Sequence, residues 1–222
     1  MISAPGLVTG RSARRAQTRE RLMNSAVEVF AERGIFGASV EEISEHAGFT
    51  RGAFYSNFAD KDELVMGMLK SYAGRDVQTV EEITSLIRDS ARVPGNPPGL
   101  LINMALSRLL GDPSNERSAI LARHEMDLYA ARHPALRRPY GEYTDQLRER
   151  TVTLLEETLQ AIGLEFSIDV TAAVQLLHAA TSRMQMDALL RDTPADPGPI
   201  ETLLKQITRP RTDAAEPPIC RP

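Results

Sequence analysis

Cysteine is nearly missing from this chain of 222 residues, tryptophan is missing altogether, and no apolar run is long. The single cysteine, Cys220, stands in the Pro-rich tail PPICRP, so an internal disulfide is excluded and a cysteine-built metal site would need other ligand types beside it. With no basic pocket around it in the sequence, Cys220 reads as a free tail thiol rather than a redox sensor. The most apolar stretch, GLLINMALSRLLG at 99–111, is short and broken by Asn103 and Arg108, and the N-terminal arginines follow a weakly apolar segment instead of preceding one. Neither a membrane span nor an export signal is expected, which leaves the cytoplasm as the expected location.

Catalytic signatures are missing too. There is no G-x-S-x-G, no P-loop, no G-x-G-x-x-G, no H-E-x-x-H and no Glu-x-x-His, and His124 with Asp127, one helical turn apart, is a poor metal site. No enzyme, metal or cofactor is therefore expected. A net charge of −4 also argues against a protein that coats nucleic acid indiscriminately. Its distribution is uneven, however: residues 1–21 carry Arg11, Arg14, Arg15, Arg19 and Arg21 against Glu20 alone. That segment is either a solvated arm or one that lies along phosphates.

What is present is helical periodicity. Apolar residues recur at three and four rather than two almost throughout, which predicts an all-α protein of about nine helices without a convincing strand. From Thr18, a plausible N-cap, Leu22, Ala26, Val29 and Phe30 line one face of a helix that Gly34 is placed to end. Ser39-Val40-Glu41-Glu42 has the form of a capping box, followed by the stripe Val40, Ile43, Ala47 and a stop at Gly48. Thr50 then caps a third short helix on which Ala53, Phe54 and Phe58 share one side. Asp60-Lys61-Asp62-Glu63 opens a much longer one. Two short helices between two longer ones make a helix-turn-helix.

Three of the six Phe and one of the five Tyr fall within TRGAFYSNF at 50–58. Half of that stretch reads as core and half as a contact surface. Thr50 and Arg51 stand at the end of the helix that points at base edges; Arg51 can fork to a guanine or hold a phosphate, and Gly52 permits close approach. Tyr55, Ser56 and Asn57 lie about one turn on, and Lys61 can add a phosphate contact by charge. With Ser39 at the start of the preceding helix, these form the candidate DNA-binding set: Ser39, Thr50, Arg51, Gly52, Tyr55, Ser56, Asn57 and Lys61.

The stretch from Arg15 to about Tyr72 resembles the DNA-binding domain of the TetR/AcrR family of transcriptional regulators. The resemblance lies in A-x-x-x-F-x-x-x-G at Ala26, Phe30 and Gly34, I-x-x-x-A-G at Ile43, Ala47 and Gly48, Y-x-x-F at Tyr55 and Phe58, and K-x-x-L at Lys61 and Leu64. One departure is Asn57, where the family often carries His before the Phe. The resemblance implies an N-terminal three-helix helix-turn-helix domain followed by a larger helical ligand-binding and dimerisation domain. It also implies a homodimer joined by its last two long helices, a palindromic double-stranded DNA operator, and repression relieved by a small-molecule effector among the middle helices. On this reading residues 1–14 form a flexible basic arm, 15–60 the DNA-binding domain, 61–208 the effector and dimer domain, and 209–222 a Pro-rich tail.

Periodicity extends the reading. The helix opened at Asp60 is expected to run to about residue 92, with a possible break at Gly74, and helical patterns restart near 98, 114, 137 and 167. The last of these is apolar on two sides, with Val174, Leu177, Ala180 and Met184 against Leu176, Ala179, Met186 and Leu190. One side meets the chain's own core and the other a second subunit, unless the whole is a large monomeric bundle. Leu154, Thr158, Leu177, Ala180 and Met184 are the candidate interface residues. Adaptable methionines and two histidines on apolar stretches give Met66, Met104, His124, Met126 and His178 as candidate effector contacts, although such residues equally serve as ordinary core. A ligand-binding or protein-interaction module without operator binding is the remaining alternative.

Overall fold

The computed structural model describes residues 7–91, 104, 108 and 116–211. Its helices with described bounds are α1 (Leu7–Gly37), α2 (Val40–His46), α3 (Arg51–Tyr55), α4 (Lys61–Ala91), α5 (Arg117–Arg132), α6 (Pro134–Ala161), α7 (Val170–Arg191) and α8 (Gly198–Ile207). Among the described residues the chain is all-α apart from one antiparallel ribbon, β1 (Leu164–Phe166) with β2 (Thr208–Pro210), in which Phe166 faces Thr208. The absence of strands expected from periodicity is corrected by this pair: three residues are too few for alternation to show. Two other expectations shift as well. The arm expected over 1–14 is helical from Leu7, and the tail expected from 209 begins with strand β2. Cys220 lies outside the described residues.

Two compact units divide the chain: Met1–Arg75 with Pro113–Thr144, and Asp76–Asp112 with Asp145–Pro222. The first runs beyond residue 60 and includes α5. Its core gathers Leu22, Ala26 and Phe30 from α1, Ile43 from α2, Phe54 and Phe58 in and after α3, Leu64 and Met68 from α4, and Ala122, Met126 and Tyr129 from α5. The α1 helix breaks at Gly34, whose backbone (φ 68°, ψ 162°) lies where side-chain-bearing residues are strained. By contrast α4 passes Gly74 without interruption.

In the second unit α7 starts at Asp169, whose Oδ1 accepts the Ala172 amide at 2.9 Å, and ends at a left-handed Asp192. Its Met184, Leu177 and Ala180 pack on Ile200 and Leu204 of α8, while Ala173 packs with Phe166 and Ile207. Of the candidate interface residues, Met184 is thus buried against α8 of the same chain, while Leu177 and Ala180 are half-buried there. Thr158 is also internal, its hydroxyl donating to the Leu154 carbonyl at 2.7 Å, and Leu154 is half-buried. The apolar residues that α7 leaves outward are Leu176, Ala179 and Leu190, the last 72% exposed. No helix among the described residues is long and apolar enough to cross a membrane.

Candidate nucleic-acid interface

Capping builds the two short helices. Ser39 Oγ accepts the Glu42 amide at 3.1 Å while Glu42 Oε2 accepts the Ser39 amide at 2.9 Å, so each satisfies an otherwise orphaned donor at the start of α2. Gly48, at φ 72°, turns the chain, and Thr50 Oγ1 then accepts the Ala53 amide at 3.3 Å to begin α3. A second cap opens α4: Asp60 Oδ1 accepts the Glu63 amide at 2.8 Å, and Glu63 Oε2 reaches back to accept the Ala59 amide at 2.7 Å.

Each capping glutamate is held below its ordinary value of 4.5, first by the backbone amide it accepts, that of Ser39 for Glu42 and that of Ala59 for Glu63. A folded-state value below the unfolded one means that the stabilisation is complete above the ordinary range and is lost as pH falls through the lowered value. The urea midpoint is therefore expected to drop between about pH 5 and pH 3, and to drop less in the Glu42→Gln, Glu63→Gln variant. Identical pH profiles for the two proteins would remove the caps as the cause.

On α3 the two sides separate cleanly. Phe54 is fully buried and Phe58 nearly so, their rings 5.6 Å apart, whereas Thr50, Arg51, Gly52, Tyr55 and Ser56 are exposed. Burying two aromatic rings fixes the rotation of a five-residue helix that is too short to be stable alone. Ser56 Oγ donates to the Ala53 carbonyl at 2.8 Å. Arg51 pairs with Glu41 of α2 at 2.6 Å and lies over the Tyr55 ring at 5.4 Å. Tyr55 first and Glu41 second raise its pKa further, so the guanidinium is a fixed cation.

That pair suggests a measurable effect. If Arg51 meets a phosphate, the exposed Glu41 carboxylate competes for it, and Glu41→Gln is then expected to tighten binding to duplex DNA about two- to fivefold, most at low salt. Weaker binding in the variant would instead make Glu41 the group that aims Arg51.

Three members of the candidate set are engaged within the chain, and of these the buried Asn57 is withdrawn from the contact surface. Asn57 is buried, with Nδ2 donating to the Ala53 carbonyl at 2.8 Å, because the chain turns inward after Ser56 to deliver Phe58 to the core. Lys61 Nζ donates to the carbonyls of Ile35 and Ala38, both at 2.9 Å, and burial pushes the ammonium below the ordinary lysine range. Ser39 is half-buried, and its hydroxyl donates to Glu42 Oε2 at 3.0 Å as well as accepting the Glu42 amide.

The basic N-terminal set divides in the same way. Arg19 donates to the Asn57 carbonyl and lies 4.0 Å over the Phe58 ring, and Arg21 donates to the Ala47 carbonyl at 2.8 Å and lies 4.5 Å over Phe49. Both are brackets holding α1 to the reading helices, a role their sequence neighbourhood did not signal. Arg14 and Arg15 are exposed on the same helix. The candidate effector residues fall in both units: Met66, His124 and Met126 belong to the first, where Met126 is core, and Met104 and His178 to the second, where His178 is exposed. Among the described residues no group of three or more His, Cys, Asp or Glu is placed to hold a metal.

The profile of bacterial regulatory proteins of the tetR family matches residues 22–67, covering all of α2 and α3, and the profile of the tetracyclin repressor-like C-terminal domain matches residues 101–210. The chain belongs to the TetR family. Within that family it is 30% identical over 95 residues to the HTH-type transcriptional repressor AcnR of Corynebacterium efficiens, an alignment that covers 42% of this chain and 50% of that one. The chain thus spans about half the length of this curated relative. Among solved structures it is similar to a TetR-family regulator from Mesorhizobium loti (TM-score 0.63, 21% identity, 87% of this chain and 94% of that one). It is also similar to FadR from Bacillus subtilis, solved with stearoyl-CoA (TM-score 0.63, 18% identity, 84% and 95%). At those identities the two structures establish the TetR fold.

Proposed function

We propose that the protein is a sequence-specific DNA-binding transcriptional regulator, a repressor that leaves its operator when a small molecule binds. One observation carries the reading: a helix-turn-helix whose second helix is locked by Phe54 and Phe58 while Thr50, Arg51, Gly52, Tyr55 and Ser56 are exposed on its outer side. Such a surface offers a forked cation, hydroxyls and a phenol to base edges and phosphates, with a glycine where the backbone comes close. Arg14 and Arg15 on the extended α1 supply further positive charge for phosphates. Repression is supported by the name of the Corynebacterium relative.

The outward Leu176, Ala179 and Leu190 of α7 support a homodimer, since an apolar stripe at helical spacing gains by meeting its own copy across a twofold axis. Two copies present two α3 helices, and the operator is then a near-palindrome with half-sites about 34 Å apart or a related spacing. That FadR was solved with an acyl-CoA supports a small-molecule effector, bound by preference in one of two dimer states.

Selection of bound sequences from a random duplex pool at fixed moderate salt tests the reading. A palindromic consensus is the expected result. A folded dimer that enriches nothing, with and without cell extract present during selection, favours a binding module on the same fold instead.

A further inference from the structure

Helices α2 and α3 are too short to hold their own pose, so what grips the segments on either side of them decides how α3 is presented. Both segments are gripped by α5. Where the chain enters α2, Glu125 Oε2 accepts the Ile35 amide at 3.2 Å. It sits so close over Gly34, a glycine required by its φ of +68°, that a Cβ there would lie 2.9 Å from Oε2 and push the carboxylate aside. The next residue, Phe36, is 55% exposed yet lies 4.9 Å from Tyr129 and stacks on His133 at 5.7 Å. Where the chain leaves α3 for α4, Tyr129 donates to Asp62 Oδ1 at 2.8 Å. Lys61, beside Asp62, reaches back to Ile35 and Ala38 and closes the loop. Burial first, then the Asp62 carboxylate, raise the Tyr129 phenol well above its ordinary range, so it remains a donor.

The geometry points to Glu125 and Tyr129 as positioning residues for DNA reading, which fix the entry to α2 and the exit from α3 from a helix outside the helix-turn-helix. This rests on the DNA-binding reading above. Neither residue touches DNA. Losing either leaves charge at the DNA surface untouched but frees one end of the reading segment, so affinity falls while the salt slope stays.

The full-length protein is compared with Glu125→Ala, Glu125→Gln and Tyr129→Phe by amide hydrogen exchange across residues 35–57 and by affinity for the duplex that the wild type enriches. Glu125→Ala is expected to speed exchange in that segment about tenfold, leave α7 and α8 unchanged, and weaken binding about tenfold with an unchanged slope against salt. Glu125→Gln, which keeps an oxygen acceptor for Ile35, restores both. Unchanged exchange, or faster exchange with unaltered affinity, overturns the assignment. Should Glu125→Ala not fold, Tyr129→Phe removes one hydroxyl only, and normal exchange in that variant overturns it equally. If the wild type enriches no duplex, the DNA reading fails by itself, and the exchange pattern alone decides whether α5 holds the segment.

Discussion

Phe54→Ala is expected to cost about 3–5 kcal/mol, the largest loss of any single truncation in the reading segment. The side chain is completely buried, 5.6 Å from Phe58 and 5.4 Å edge-on from Tyr55, within a cluster to which α1, α2, α4 and α5 all contribute. A five-residue helix held by so few anchors has little else to fix its rotation. Removing one ring leaves a cavity and lets the outward residues turn away from any fixed surface. Urea unfolding followed by circular dichroism measures the loss, and amide exchange localises it to the first unit. Tyr55→Phe is the control: the ring is 47% exposed, and the loss of its hydroxyl is expected to leave stability within about 0.5 kcal/mol. A small effect of Phe54→Ala would mean that α3 is held by its caps and not by its rings.

Arg51→Ala is expected to weaken operator binding by about 1–3 kcal/mol, roughly 5- to 150-fold, while stability stays near that of the wild type. Its side chain is 62% exposed and that of its partner Glu41 48%, so the pair contributes little to folding. The form of the loss identifies the contact. If Arg51 holds a phosphate, binding weakens across all sequences and the slope of log affinity against log salt falls by about 0.9. If it forks to guanine, the slope holds and one operator position loses its preference. Lys61→Ala is expected to behave in the opposite way. Two carbonyls lose a charged donor, which lowers the urea midpoint by the equivalent of about 1.5–3 kcal/mol and weakens DNA binding without changing the slope. A stable Lys61→Ala protein with a slope reduced by about 0.9 would return Lys61 to the phosphate backbone.

Local chemistry marked out the helix-turn-helix in the sequence. The caps at Ser39 and Thr50, the turn glycine Gly48 and the inward pair Phe54 and Phe58 each depend on residues within four positions of one another, so their geometry is written in spacing. The outward set of Thr50, Arg51, Gly52, Tyr55 and Ser56 follows from that same periodicity. Tertiary structure decided which charges remain available. A long cation such as Arg19, Arg21 or Lys61 reaches several ångströms, and whether it ends on a phosphate or on a backbone carbonyl depends on which unsatisfied carbonyl the fold brings within reach. It also decided which side of α7 is covered, because α8 folds back onto Leu177, Ala180 and Met184 and leaves Leu176, Ala179 and Leu190 outward, and periodicity marks two apolar sides without saying which is filled. Glu125 meets Ile35 across ninety residues of chain, a separation at which no local pattern carries information and only the packing of α5 on α1 makes the contact.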